Sequence, residues 1–598
     1  MRAVSPRAPQ PPPASAVERT GTTGTVLARA AAAPLAAHVV AYLLLLVAIT
    51  AVVPVGGSFG TDDGAYGGQV HALRRGSWTV DRPLPVVDEA NEGWLNAAIT
   101  PDGPLPYTTN PAYPLLLTTT ARLVDAVTGS PPPVTAGDDA VALAALPVLG
   151  AVAAAVAAWL LARRLDPRAS ALAFWLVAVG PTLVNATTLW AHTLATAAAG
   201  FAVYAVAGLV DPVDRVGPGD RTGTDGAATG DGGDGGTHRS LPLVAVALAA
   251  CVGAVAVRTE SIFFVAALGI ATLVVDRRPR VVATIATVSA VAGAIWLGNR
   301  AWGAAMRADR LPIATSVIEL SEPPGWLAGR LPAAWALLGT TGDGLGPTLA
   351  LTAVALVVHA AVGLRRPHPP ASAGLQRSSL TAAVVLLSSY IVIGGGAPLS
   401  GLVAAWPVGI VLLAPRGPGG GQSLPRLLGV TSTVFAAAIV LTQYSSSGGL
   451  QWGGRYLSMA LVPLAVLAAV RGRTLVARWP GVVLALLVVP AVAGVATTYR
   501  LHANHAAAVE AVTAAGSEVV VTESPAVPRI AWTALPATVY RADGDTLGPL
   551  LAELAAAGVD TVTVHGIDDT GIEPATGYRV GSTSESLRHL ERMAAAGP

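Results

Sequence analysis

The sequence predicts a polytopic α-helical membrane protein followed by a small C-terminal α/β domain. Three observations carry that fold class. Of 598 residues, 53% are hydrophobic and only 12% are charged, against roughly 25% charge in a typical soluble protein. Apolar runs near the length needed to cross about 30 Å of hydrocarbon, about 20 residues, recur along most of the chain. Arginines gather in alternate connections between those runs, as positive charge does on the cytoplasmic side of a membrane.

The runs lie at 35–55, 140–162, 169–186, 192–210, 241–257, 261–276, 280–298, 346–364, 379–395, 397–414, 427–443, 456–470 and 480–498, about thirteen spans. The weakest separations are Gly394-Gly395-Gly396 with Pro398, and Arg258-Thr259-Glu260. Residues 1–34 carry Arg2, Arg7, Arg19 and Arg29 against the single acid Glu18, so that end is expected to be disordered and cytoplasmic. The inner connections then hold Arg163-Arg164 with Arg168, Arg277-Arg278 with Arg280, Arg365-Arg366 with Arg377, Arg416 with Arg426, and Arg471 with Arg473 and Arg478. The inner stretch 211–240 differs, being rich in Gly and Asp; it reads as a flexible solvated loop. The first span reads as an uncleaved signal-anchor, since no clear small-residue cleavage site follows it.

The transmembrane domain is expected over 35–498, with a first outer loop at 56–139. An extracytoplasmic α/β domain is expected over 499–598. Within it, Ala506–Ala515 and Leu547–Ala557 are helical in pattern, with Gly558 ending the second, while 518–522 and 560–564 are β-runs. Glu523, Arg529 and Trp532 follow the first β-run, and read either as acceptor contacts or as an ordinary connection.

The 37 basic and 36 acidic side chains almost cancel, and the chain contains no lysine. Net charge therefore gives no reason to expect a nucleic-acid partner. The lone Cys251 excludes an intramolecular disulfide and a cysteine zinc site; in its apolar run it reads as a small buried hydrophobe.

Ionisable groups at membrane depth are costly, so their positions are informative. Four polar clusters fall on the expected outer face. The first outer loop opens with Gly60-Thr61-Asp62-Asp63-Gly64-Ala65-Tyr66, continues through His71, Arg74-Arg75-Gly76-Ser77-Trp78, Asp81, Asp88-Glu89, Glu92 and Trp94, and closes with Tyr107-Thr108-Thr109-Asn110-Pro111-Ala112-Tyr113-Pro114. The others are Asn185-Ala186-Thr187-Thr188-Leu189-Trp190-Ala191-His192-Thr193, Arg258-Thr259-Glu260 and Gln451-Trp452-Gly453-Gly454-Arg455-Tyr456. Each has a purely structural reading: a turn or helix cap for Asp62-Asp63, an ion pair for Arg258 and Glu260, belt anchors for Trp190, Trp452 and Tyr456, a hydrogen-bonded helix-end histidine for His192. The functional reading joins them. Paired carboxylates deprotonate a hydroxyl or hold a divalent cation, arginines bind phosphate through charge-assisted bonds, and aromatic faces stack on a sugar or flank a lipid head.

These segments resemble the GT-C glycosyltransferases, polytopic enzymes that use polyprenyl-phosphate sugars and include the protein mannosyltransferase and aminoarabinose transferase groups. Asp62 to Trp78 resembles the start of their first outer loop, and Asn110 to Leu116 its Tyr-Pro-Leu close. Trp190-Ala191-His192-Thr193-Leu194 resembles a Trp-Glu-His-Thr-Leu pattern in which Ala191 replaces the acid. Arg258-Thr259-Glu260 resembles an Arg-x-Glu segment, and Trp452 to Tyr456 a Trp-Gly-x-Arg-Tyr segment. The resemblance implies inverting transfer from a polyprenyl-phosphate donor to a glycan, lipid or protein acceptor at the outer face of the cell membrane. Asp62 or Asp63 would be the general base, and Arg258, Arg455 and His192 would hold the donor phosphate. Tyr66, Tyr113, Trp190, Glu260, Trp452 and Tyr456 would line the substrate site. No organic cofactor is implied, and a divalent cation is left open. The competing readings are a lipid-linked glycan transporter, a ligase with a larger glycan donor, and a non-catalytic envelope-assembly protein; a transporter would carry its polar site near the bilayer midplane.

Overall fold

The computed structural model describes residues 33–53, 60–79, 98–100, 103–105, 110–129, 140–210, 235–307, 329–339, 353–357, 359–360, 371–393, 399–414, 423–442, 452–523, 538–567, 576, 578–584 and 587–593. Asp81, Asp88, Glu89, Glu92, Trp94, Gln451, Arg529 and Trp532 lie outside them, as do most of the N-terminus and most of the 211–240 stretch.

Seven of the described helices are long and apolar enough to cross a membrane, within Leu35–Val52, Ala142–Leu165, His192–Val210, Pro279–Met306, Ser423–Thr442, Arg455–Arg478 and Pro480–Ala514. Each falls on an expected span. The remaining expected spans are shorter, interrupted or partly described, so the count of thirteen is not reached. The 169–186 run divides into Ser170–Ala178 and Pro181–Asn185, because Pro181 has no N–H to continue the ladder. The carbonyl of Leu176, beside the break, instead accepts the Trp406 indole N–H at 3.0 Å. The 397–414 run likewise divides at Trp406-Pro407. Gly235–Val257 begins inside the Gly-rich stretch.

We label the helices that build the site α1 (Thr61–Arg74), α2 (Ala112–Thr128), α3 (Ala140–Leu165), α4 (Pro181–Asn185), α5 (His192–Val210), α6 (Ser423–Thr442) and α7 (Pro480–Ala514). The core is rich in alanine, and small residues bring helices close, which is how apolar helices gain contact in a solvent as apolar as themselves. A Cβ on Gly150 of α3 would stand 2.7 Å from the Leu194 backbone nitrogen of α5, and one on Gly200 would stand 2.8 Å from Ala157. Outward faces stay apolar: Val40, Leu44 and Val47 of the first helix are each more than half exposed.

Arginines cap helix C-termini, where unpaired carbonyls carry partial negative charge. Arg278 donates to Leu209 at 3.0 Å and Val210 at 3.1 Å, at the end of α5, and Arg471 donates to Leu413 at 3.3 Å. At 1.5 Å rise per residue, the Arg278 end of α5 is about 28 Å from its His192 end. The basic end and the polar clusters thus occupy opposite ends of this helix.

In the C-terminal domain, the expected helix at Ala506–Ala515 is instead the end of α7, which runs unbroken from Pro480 to Ala514. We number the domain's strands β1 (Val519–Thr522), β2 (Thr538–Arg541), β3 (Thr561–His565), β4 (Tyr578–Ser584) and β5 (Leu587–Arg592). Their order in the sheet is β2-β1-β3-β5-β4, with β1 parallel to β2 and β3, and β5 antiparallel to β3 and β4. The expected helix forms as Leu547–Ala556, with Gly558 at φ +88° just past its end. Its Leu547, Leu551 and Leu554 pack on Val519, Val521, Val562 and Val564.

Burial in this domain holds the His565 imidazole below its ordinary value of 6.5, with the ring hydrogen-bonded to Thr522 at 3.2 Å. The fold therefore favours the neutral ring. Its contribution is present above the unfolded value and is lost as pH falls from there through the depressed one. Hydrogen exchange across β1 and β3 in the full chain, corrected for intrinsic rates, is expected to rise between pH 7.5 and 5.5. In His565→Gln this rise is expected to be smaller; an equal rise would refute the assignment.

Candidate active site

Five stretches far apart in sequence meet at one end of the bundle. The first outer loop contributes α1, whose N-cap is Gly60, with Asp62 and Asp63 in the first turn. Neither acid caps the helix. Asp62 Oδ2 instead accepts from Arg455 Nη1 at 2.9 Å across 393 residues. Its Oδ1 has no hydrogen bond among the described residues, and its side chain is 39% exposed. Asp63 is 3% exposed and accepts the Leu189 backbone N–H at 2.9 Å. The structure thus separates two acids that the sequence leaves equivalent.

Arg455 is held on several sides. Its guanidinium lies 4.8 Å from the Trp190 ring centroid and 5.0 Å from that of Tyr456, and it donates to the Tyr456 hydroxyl at 3.2 Å. Its place follows from the two glycines before it, at φ +62° and +60°, where side chains are disfavoured. Gly453 N–H bonds Leu399 O at 2.8 Å and Gly454 N–H bonds Ser400 O at 2.5 Å. This turn starts a 3-10 segment, Arg455–Ala460, that feeds the next span.

Arg258 is 5% exposed. Its Nε stands 3.1 Å from Glu260, and its guanidinium lies 5.3 Å from the Tyr456 centroid. Its terminal nitrogens make no hydrogen bond among the described residues. His192, at the first position of α5, is 7% exposed. Both of its ring nitrogens are buried without a partner among the described residues, and the ring lies 5.2 Å from Trp190. Arg258 and Arg455 are both close enough to act on it electrostatically. Unsatisfied buried polar groups are costly and call for an explanation; a ligand accepting from Arg258 and His192 together supplies one.

The remaining expected aromatic residues are buried. Tyr113 is fully buried, stacks edge-on against Tyr66 at 5.0 Å, and donates to Leu189 O at 2.8 Å. Trp452 is buried against Gly494 of α7. Glu260 remains partly exposed beside Arg258. Asn299 was not among the expected residues, yet it donates to Asn110 Oδ1 at 3.1 Å, and Thr259 donates to the same oxygen at 3.2 Å. Its signal in the sequence is a polar residue directly after an apolar run. The Leu399 and Ser400 carbonyls carry no such signal.

Among the described residues no group of three or more His, Cys, Asp or Glu is placed to hold a metal ion. Asp62 and Glu260 are each paired with an arginine through one carboxylate oxygen.

No protein-family model matches the chain, and no curated protein sequence matches it. Among solved structures, it is similar to the oligosaccharyltransferase of Archaeoglobus fulgidus in a complex with zinc and sulfate, at 14% identity and TM-score 0.45, over 88% of this chain and 68% of that one. It is similar to the archaeal oligosaccharyltransferase AglB from Archaeoglobus fulgidus in complex with an inhibitory peptide and a dolichol-phosphate, at 13% identity and TM-score 0.39, over 92% of this chain and 74% of that one. It is also similar to apo ArnT from Cupriavidus metallidurans, at 12% identity and TM-score 0.41, over 94% of this chain and 99% of that one.

Proposed function

We propose that the chain is a multi-pass membrane glycosyltransferase that moves a sugar from a polyprenyl-phosphate donor to a hydroxyl acceptor at the outer membrane face. The observation that carries this reading is the convergence of Asp62, Trp190, His192, Arg258, Glu260, Arg455 and Tyr456 into one cluster at the end of an apolar bundle. Arginine-rich connections at the other end support a cytoplasmic N-terminus and an extracytoplasmic C-terminal domain.

Asp62 takes the role of general base. Arg455 fixes one carboxylate oxygen, as a third group orients the base in other activated pairs, and leaves the other for the acceptor hydroxyl. The acceptor proton passes to Asp62 as its oxygen attacks the anomeric carbon. The bond from that carbon to the phosphate oxygen breaks, and the polyprenyl phosphate departs with the electron pair, inverting the centre. Charge gathering on the leaving phosphate meets Arg258 and His192, whose free N–H groups need no rearrangement to receive it. No step here is routed through a cation.

The purified protein in nanodiscs, given polyprenyl-phosphate sugars and candidate acceptors, is expected to release free polyprenyl phosphate and form a glycosylated product. Flipping of the lipid across vesicles without transfer would instead identify a transporter. Arg258→Ala is expected to raise the donor KM about tenfold, the effect of losing about 1.4 kcal/mol of charge-assisted binding, while leaving the acceptor KM within twofold. Equal changes in both would refute a phosphate-binding role.

A further inference from the structure

Leu189 lies in the turn between α4 and α5, one residue before Trp190 and three before His192. Backbone groups in such a turn need partners as surely as those in a helix. The Leu189 N–H donates to Asp63 Oδ1 at 2.9 Å, and its C=O accepts from the Tyr113 hydroxyl at 2.8 Å. Both partners come from the first outer loop, 126 and 76 residues away in sequence.

The two helices of that loop are themselves tied together along their length. Arg74 of α1 pairs with Asp125 of α2 at 2.9 Å. Arg122 donates to the Leu73 and Arg74 carbonyls at 3.3 Å each. Tyr66 and Tyr113 meet edge to face. The rest of the turn is fixed locally, with Thr188 Oγ1 bonded to Asn185 O at 3.0 Å and accepting the Trp190 N–H at 3.4 Å.

We infer that Asp63 and Tyr113 are positioning residues: together they grip both sides of the Leu189 residue and set Trp190 and His192 in register with Asp62. Asp62 and Asp63 share one helical turn, so the carboxylate proposed to act on the acceptor and the one that fixes the opposing wall move as one body. Trp190 in turn packs on Arg455, which holds Asp62, so the arrangement closes on itself. This inference deepens the glycosyltransferase reading and rests on it for its catalytic consequence, but the grip itself is readable without turnover.

The substitutions separate a grip from acid–base chemistry. Asn at position 63 keeps an oxygen that accepts from Leu189 N–H, whereas Ala does not. Asp63→Asn is expected to retain donor kcat/KM within about threefold of wild type. Asp63→Ala and Tyr113→Phe are each expected to lose at least about tenfold, chiefly through a higher donor KM with the acceptor KM unchanged, consistent with losing a buried hydrogen bond. Hydrogen exchange of the peptide covering residues 186–193 in the full chain is expected to quicken about tenfold in Asp63→Ala and to stay near wild type in Asp63→Asn. The inference is overturned if Asp63→Asn is as inactive as Asp62→Asn, if Tyr113→Phe matches wild type, or if Asp63→Ala leaves exchange at 186–193 unchanged. Should wild type transfer no sugar while exchange responds as stated, the grip stands and the glycosyltransferase reading falls.

Discussion

Asp62→Asn is expected to lower kcat for sugar transfer by about 10²–10⁴, the usual contribution of a positioned general base. The substitution is nearly isosteric, and the amide oxygen still accepts from Arg455 Nη1, now 2.9 Å from Asp62 Oδ2. The cluster therefore keeps its shape while losing the group that takes the proton. Donor KM is expected to change less than threefold, because Arg258 and His192 are untouched. The measurement is steady-state transfer in nanodiscs, with binding of free polyprenyl phosphate as a second readout. Full transfer by Asp62→Asn would eliminate the proposed base, and lost transfer with lost phosphate binding would assign Asp62 a structural role.

Gly454→Ala is expected to lower stability by about 2–3 kcal/mol, combining the cost of a left-handed conformation for an L side chain, about 1–2 kcal/mol, with a steric clash. A Cβ at Gly454 would stand 2.5 Å from Leu337 O, 3.1 Å from Leu402 N and 3.2 Å from Leu402 Cβ. Two of these three neighbours are backbone atoms, which yield less readily than the end of a flexible side chain. The displaced residue is Arg455, so sugar transfer is expected to fall with stability, by about tenfold or more even below the unfolding temperature. Gly481→Ala serves as the comparison. It has nothing within 4 Å of its added Cβ, and is expected to unfold and turn over like wild type. Equal behaviour of the two alanine variants would refute the claim that this turn aims Arg455.

Much of the architecture was legible because it follows from local composition. An apolar run of sufficient length becomes a helix in a medium that offers the backbone no other partner, and all seven long apolar helices lie where the runs do. The β-runs within 518–522 and 560–564 are Val- and Thr-rich and form central strands. The strands at Tyr578–Ser584 and Leu587–Arg592 carry no such local pattern; their mixture of Gly, Ser, Arg, His and Glu becomes a strand through pairing with β3 and with each other. The division of the 169–186 run was signalled by Pro181, whereas the Trp406 indole that takes the Leu176 carbonyl comes from 230 residues away.

The polar clusters show the same boundary. The sequence by itself determined which residue types are present and which ends of apolar runs they occupy, because burying charge in hydrocarbon is too costly to leave those positions to chance. It did not determine which carboxylate is which. Asp62 and Asp63 are adjacent in sequence and have the same chemistry. Tertiary structure alone gives one to Arg455 and the other to the Leu189 peptide. Nor did sequence show that both His192 ring nitrogens would be buried without a partner among the described residues, while Arg455 is bonded to Asp62 and Tyr456. The reason is physical: composition and hydropathy act over a few helical turns, whereas a hydrogen bond is decided by tenths of an ångström between atoms that meet only after the bundle has closed.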